Sequence, residues 1–253
     1  MRPRPTEMLR RLTLLALLAL CGNAWASDCA YSGHEARAGG TGIGGTGTMA
    51  QGTGIGGTGI QLGVFRSDIA LAGNVLAIEG EVRAEINGNG RALAKGDPVC
   101  TGDKITTSAS SSLRLQMADG GLLTLRPQTQ LRIEKFAYRG TNKDNSLLVL
   151  DKGACRIVTG NIGKQHPEND LLRTPHATIG IREADHEAAV ILPQENKDYP
   201  AGTYDKVNHG AAFLSTAQGE VSIHPDQAGF SAGGMPTLLQ EIPAFYRAEN
   251  SPR

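Results

Sequence analysis

The sequence predicts an all-β fold, a compact roll or sandwich of short strands and hairpins preceded by a signal peptide and a Gly-rich disordered segment. Three observations predict it. After residue 73 apolar side chains recur at every second position, Asn, Asp and Gly turn signals separate these runs, and no amphipathic stretch of helical period extends beyond a few residues. The best helical candidate, Glu183 to Ile191, is Ala-rich but flanked by strand patterns.

Residues 1–26 have the layout of a secretory signal, with basic Arg2, Arg4, Arg10 and Arg11, the apolar run Leu12 to Leu20, and Ala24-Trp25-Ala26 as a small-x-small cleavage site. The apolar run falls well short of the ~20 residues that cross a bilayer as a helix, so no transmembrane segment is expected. The mature chain would begin at Ser27 and be periplasmic. Leu18-Ala19-Leu20-Cys21 loosely resembles a lipoprotein box, but Leu20 is too large for the position before a signal-peptidase cut, so the lipid-anchored alternative ranks below cleavage at Ala26.

Residues 27–63 are dominated by Gly and Thr and lack the large apolar side chains of a packed core. The heptamer Thr-Gly-Ile-Gly-Gly-Thr-Gly occurs at 41–47 and again at 53–59. One reading is a flexible tether. The other is self-association through Ile43 and Ile55, with two copies too few for a solenoid of their own. A phosphate-cradling loop would need a Lys-Ser/Thr that does not follow.

From residue 73 the strands follow in order. Val82, Ala84 and Ile86 alternate with Glu81, Arg83 and Glu85, and Asn87-Gly88-Asn89-Gly90 turns the chain. The tandem hexamers Gly96-Asp97-Pro98-Val99-Cys100-Thr101 and Gly102-Asp103-Lys104-Ile105-Thr106-Thr107 each read as a Gly-Asp turn and a short strand, with the two acids bonding their own backbone rather than a metal. Leu113, Leu115 and Met117, then Asp119-Gly120, then Leu123 and Leu125 make a hairpin ended by Arg126-Pro127. Leu131 and Ile133 mark a strand, and Leu147 to Leu150 a strand covered on both faces. Leu171 to Arg182 reads as a short strand, a break at Pro175, and a buried strand ending on a charge. Tyr204 to Val207, Ala211 to Leu214, Glu220 to Ile223 and Gly229 to Ser231 read as further short strands, and Leu238, Leu239, Ile242, Phe245 and Tyr246 are available to lie across them.

The mature chain of 227 residues carries 21 Lys plus Arg against 24 Asp plus Glu, a balance that gives no electrostatic reason for a nucleic-acid partner. No Gly-x-Ser-x-Gly elbow, His-x-His or His-Glu-x-x-His is present, so neither an enzyme nor a cofactor is expected. Asp185-His186-Glu187 is the one tight polar cluster. Strand neighbours point to opposite faces, which separates His186 from the two acids and favours a solvated edge over a cation site.

Cleavage leaves Cys29, Cys100 and Cys155 in a compartment that permits disulfides. Cys100 and Cys155 lie in the β-rich region and are the expected pair, the alternative being two buried thiols that never meet.

Gly96-Asp97, Gly102-Asp103-x-Ile105-x-Thr107, Leu113-Arg114-Leu115 with Asp119-Gly120, Leu123-Thr124-Leu125, Gly153-Ala154-Cys155-Arg156 through Gly160, and Thr174-Pro175-x-Ala177-Thr178-Ile179-Gly180-Ile181-Arg182 follow one another in this order. The series is similar to the FecR domain, a bacterial periplasmic module, over residues 73–190. Residues 191–253 resemble the closing strands and tail of stand-alone FecR-like proteins. Where the family usually has Gly-Thr after the Arg, this chain has Glu183-Ala184.

Founding members of that family relay occupancy of an outer-membrane receptor to an extracytoplasmic sigma factor. The cytoplasmic sigma-binding segment and the membrane span of such regulators have no counterpart expected here, so anti-sigma activity is not carried over. The resemblance implies a non-enzymatic module that binds an envelope protein or polymer, linked to envelope signalling. It makes Gly96, Asp97, Gly102, Asp103, Gly153, Arg156, Gly160, Thr174, Pro175, Thr178, Gly180 and Arg182 structural motif positions. A self-assembling envelope component using the Gly-rich repeats is the alternative.

Overall fold

The computed structural model describes Cys29 and residues 69–247. The signal segment and both repeats lie outside the described residues. The described chain is nearly all strand: β1 (Leu71–Glu79), β2 (Val82–Ile86), β3 (Asn89–Ala92), β4 (Pro98–Cys100), β5 (Lys104–Thr107), β6 (Ser112–Met117), β7 (Leu122–Leu125) and β8 (Gln130–Ala137) precede the long β9 (Asn145–Val158). After it come the short helix α1 (Asn161–Gln165), β10 (Asp170–Arg173), β11 (Thr178–Ile191), β12 (Gly202–Thr216), β13 (Gly219–Ile223), β14 (Ala228–Ser231) and β15 (Thr237–Leu238).

Three long strands organise everything else. The first half of β9 pairs with β8 and, in parallel, with β10, whereas its second half pairs with β7 and β11. Likewise β11 meets β10 through Thr178–Gly180 and β9 through Asp185–Val190, and β12 carries β13 on its far half and β14 on its near half. Two ladders result. One runs β3-β2-β5-β8-β9-β10-β11-β12-β13 and the other β4-β1-β6-β7-β9-β11-β12-β14-β15, so one continuous sheet is folded over on itself.

Each shared strand bends where its backbone turns left-handed. Gly153 has φ +84°, Glu183 +46° and Gly210 +77°. At Glu183 the β11–β12 register slips, and the Thr159 hydroxyl closes the gap by accepting from the Ala184 amide at 2.9 Å and donating to the Ala184 carbonyl at 2.8 Å. Glu183-Ala184, where the sequence departs from the family pattern, is thus a bulge inside a strand.

The period-two residues fill the fold between the layers. Ile105, Leu131, Ile133, Leu150, Leu172, Ile179 and Leu214 from one ladder meet Leu113, Leu115, Leu123, Leu125, Cys155 and Val207 from the other, all fully buried. A second, smaller cluster sits outside. There Tyr246, in the 3-10 turn Ala244–Arg247, packs with Ala189 and Tyr204, and Phe230, Leu239, Ile242 and Phe245 surround it.

Local turns follow the sequence closely. Asn87 and Gly88, at φ +51° and +80°, make the two-residue hairpin between Ile86 and Asn89 that Asn-Gly favours. The tandem hexamers form matching turns, with Asp97 accepting from the Ala94 amide and Asp103 from the Cys100 amide, both at 2.8 Å. Asp103 has a further role that its twin lacks: buried, it takes two hydrogen bonds from Arg91, at 2.8 and 2.6 Å.

The cysteines correct an expectation. Cys100 is bonded to Cys29, their Cα atoms 5.9 Å apart, and Cys155 is a free thiol. Cys100 ends the edge strand β4, while Cys155 sits between Leu125 and Ala188 in the middle of its ladder. Their places in the sheet keep Cys100 and Cys155 apart, so that pair does not form. Burial pushes the Cys155 thiol up to about 12.

Candidate functional site

The motif stretch 174–182 builds a surface groove. Thr174, itself buried, folds the break: its hydroxyl donates to the Ala177 carbonyl at 2.8 Å and accepts from the Ala177 amide at 3.0 Å, with Pro175 in the turn between. Beyond the turn, β11 alternates. Ile179 and Ile181 are buried, and Thr178, Gly180 and Arg182 follow the opposite phase.

On that outer phase Leu171, Gly180 and Phe213 are register partners across β10, β11 and β12. They line a groove of about 340 Å³ together with Thr178, Arg182 and Ser215, walled by Pro167 and Glu168 on one side and Glu220 on the other. Gly180 decides its shape. Its backbone is not left-handed, and a Cβ placed there would meet Leu171 and Phe213 at 3.9 Å, ordinary contact. The missing side chain is therefore not required by the fold. It leaves the space between the leucine and the phenylalanine open.

The charge in the groove is Arg182, whose guanidinium carbon lies 5.2 Å from the centre of the Phe213 ring. Among the described residues it makes no ion pair, although Glu168 and Glu220 line the same groove. The other motif arginine is engaged: Arg156 donates to both Asp185 oxygens, at 2.8 and 2.6 Å. Burial alone would raise the Asp185 carboxyl, but the Arg156 clamp and the Asn208 amide hold it below the ordinary carboxylate range. Beside it Glu187 pairs with Arg126, and Lys206 lies 3.5 Å from the same carboxylate.

The Asp185-His186-Glu187 cluster is not a solvated edge. Strand β11 is interior to the sheet, and His186 is fully buried with Nδ1 2.7 Å from Asp205 Oδ1, while the flanking acids take the outer face. Burial pulls the His186 pKa down, yet the adjacent Asp205 outweighs it and the net direction is up.

The motif positions therefore divide. Thr178, Gly180 and Arg182 meet in the groove. Gly96 and Gly102, at φ +92° and +94°, serve turns with Asp97 and Asp103; Gly153 bends β9; and a Cβ on Gly160 would overlap the Asp119 carboxylate. Leu171, Phe213, Ser215 and Glu220 were not singled out from sequence. One signal was readable: in Ala212-Phe213-Leu214 the alternation that buries Ala212 and Leu214 turns an aromatic ring outward.

Residues 103–222, which include every residue lining the groove, match the family model described as FecR protein. Two crystal structures of a proposed anti-sigma factor from Parabacteroides distasonis ATCC 8503 resemble this chain at 14% and 13% identity, each with a TM-score of 0.44 over 57% of this chain. The chain spans 62% of the length of those structures. Comparison with curated proteins finds no match. Residues 103–222 thus carry a FecR domain.

Proposed function

We infer that this chain is a periplasmic, non-enzymatic FecR-domain module that docks a segment of an envelope protein in the groove over Gly180. The family is regulatory and works in signalling through protein–protein interaction, which supports a binding role. The secretory layout of residues 1–26 supports the compartment. The observation that carries the reading is the bare floor at Gly180: a strand position where Gly weakens the sheet without any backbone need, beside an arginine stacked on an outward phenylalanine.

A side chain at residue 180 would close the groove without disturbing the fold, which gives a direct test. A photocrosslinking residue at Ser215, in the groove, should capture a defined envelope protein, and Gly180→Val should abolish capture while leaving thermal stability unchanged or slightly raised. Arg182→Ala should weaken capture about tenfold. The same crosslinker at Glu134, outside the groove lining, serves as the control. Undiminished capture by Gly180→Val at Ser215 would overturn the reading.

A further inference from the structure

The groove holds two recognition elements of opposite chemistry. Gly180 and Arg182 share the outer phase of β11, two residues and so roughly 7 Å apart. At Gly180 the gap is bounded by carbon, since a Cβ there would lie 3.9 Å from Leu171 Cδ2 and from Phe213 Cβ. An apolar side chain suits such a gap, because a polar one would give up its water for no partner.

At Arg182 the requirement is the reverse. Its guanidinium stacks on Phe213, with Cζ 5.2 Å from the ring centre, so its face is used and its N–H edges are not. It makes no ion pair among the described residues, and the two acids lining the same groove have other partners. Glu220 accepts from the Ser215 hydroxyl, and Glu168 lies 3.7 Å from His166 Nδ1. Stacking also holds the plane of the guanidinium, which spares an incoming carboxylate part of the cost of ordering a long side chain.

We propose, on the reading that the groove docks a protein segment, that this segment is extended and carries one carboxylate two residues from an apolar side chain. The apolar group fills the gap over Gly180, and the Asp or Glu takes the N–H edge of Arg182. An extended chain repeats every second side chain at the spacing of the strand beneath it, so neighbours on one face of the segment meet both elements. Glu168 and Glu220 limit the charge. One acid is matched by Arg182, whereas a second, toward either wall, meets a like charge. Acid-rich segments are therefore rejected.

Selection of random short peptides displayed on phage tests this, using the full protein from periplasmic expression and its Gly180→Val, Arg182→Gln and Arg182→Glu variants. Peptides that bind wild type and lose binding to Gly180→Val should share an apolar residue with an Asp or Glu two positions away. Their affinity should fall about tenfold in Arg182→Gln. Peptides selected on Arg182→Glu should carry Lys or Arg in place of the acid, and synthetic peptides with that exchange should bind Arg182→Glu better than wild type, a reversal that misfolding does not produce. Gly180-dependent peptides that lack the acid, or whose affinity ignores residue 182, would overturn the acidic motif and leave the docking groove standing. Recovery of no Gly180-dependent peptide would overturn both.

Discussion

Asp170 is a carboxylate placed where the core offers it little. It opens β10 nearly buried, and burial raises its pKa to about 6, against a hydrogen bond from the Ser146 hydroxyl that lowers it. The nearby charges oppose each other, Asp119 raising and His186 lowering. A carboxyl with a raised folded-state pKa holds its proton more tightly in the fold than in the unfolded chain. Its contribution therefore favours folding while both states are protonated, and is lost as pH rises from about 4 through 6. Asp170→Asn keeps the shape and removes the titration. Relative to wild type it should gain on the order of 3 kcal/mol between pH 4 and pH 7, read from urea midpoints at each pH. A difference between the two proteins that stays flat across that range would show that Asp170 titrates normally.

At the scale of elements, the C-terminal turn Ala244–Arg247 shows how a second small core is closed over the outer face of the sheet. Tyr246 is buried there, and Arg126, paired with Glu187, donates to the Phe245 carbonyl at 3.1 Å. The Tyr246 hydroxyl has no hydrogen-bond partner among the described residues, so its contribution is the ring. Tyr246→Ala should cost about 3 kcal/mol in chemical denaturation and Tyr246→Phe close to nothing; equal losses would mean that the hydroxyl is bonded. The tail residues that close this face were legible as unassigned apolar side chains after Pro236, and the strands as period-two runs with Asn-Gly and Asp-Gly between them. What the sequence hides is continuity. Tyr204–Val207 and Ala211–Leu214 read as two strands because His209-Gly210 breaks the alternation, yet they are one strand with a bend. The groove was half legible for the same reason: Gly180 and Arg182 stand in a recognisable motif, while Phe213 joins them only through the register of β11 with β12, a long-range fact that no local pattern encodes.

The whole molecule depends on those bends. Because β9, β11 and β12 each belong to both ladders, neither layer has a boundary along which it can separate from the other. The layers should open together, and the bends are where this can be tested. Gly210 has φ +77° and lies against Glu183, where a Cβ would overlap the Glu183 carbonyl, so a side chain is opposed by both backbone conformation and space. Gly210→Ala should destabilise the protein by roughly 2 kcal/mol or more. Hydrogen exchange shows where that loss is felt. If the shared strands make one cooperative unit, amides of β5 and β8 in one layer and of β6 and β7 in the other lose the same free energy of protection, although none of these strands pairs with residue 210. Loss confined to β12 and its partners β11, β13 and β14 would mean that the bend is a local hinge, and that the two layers hold together through side-chain packing alone.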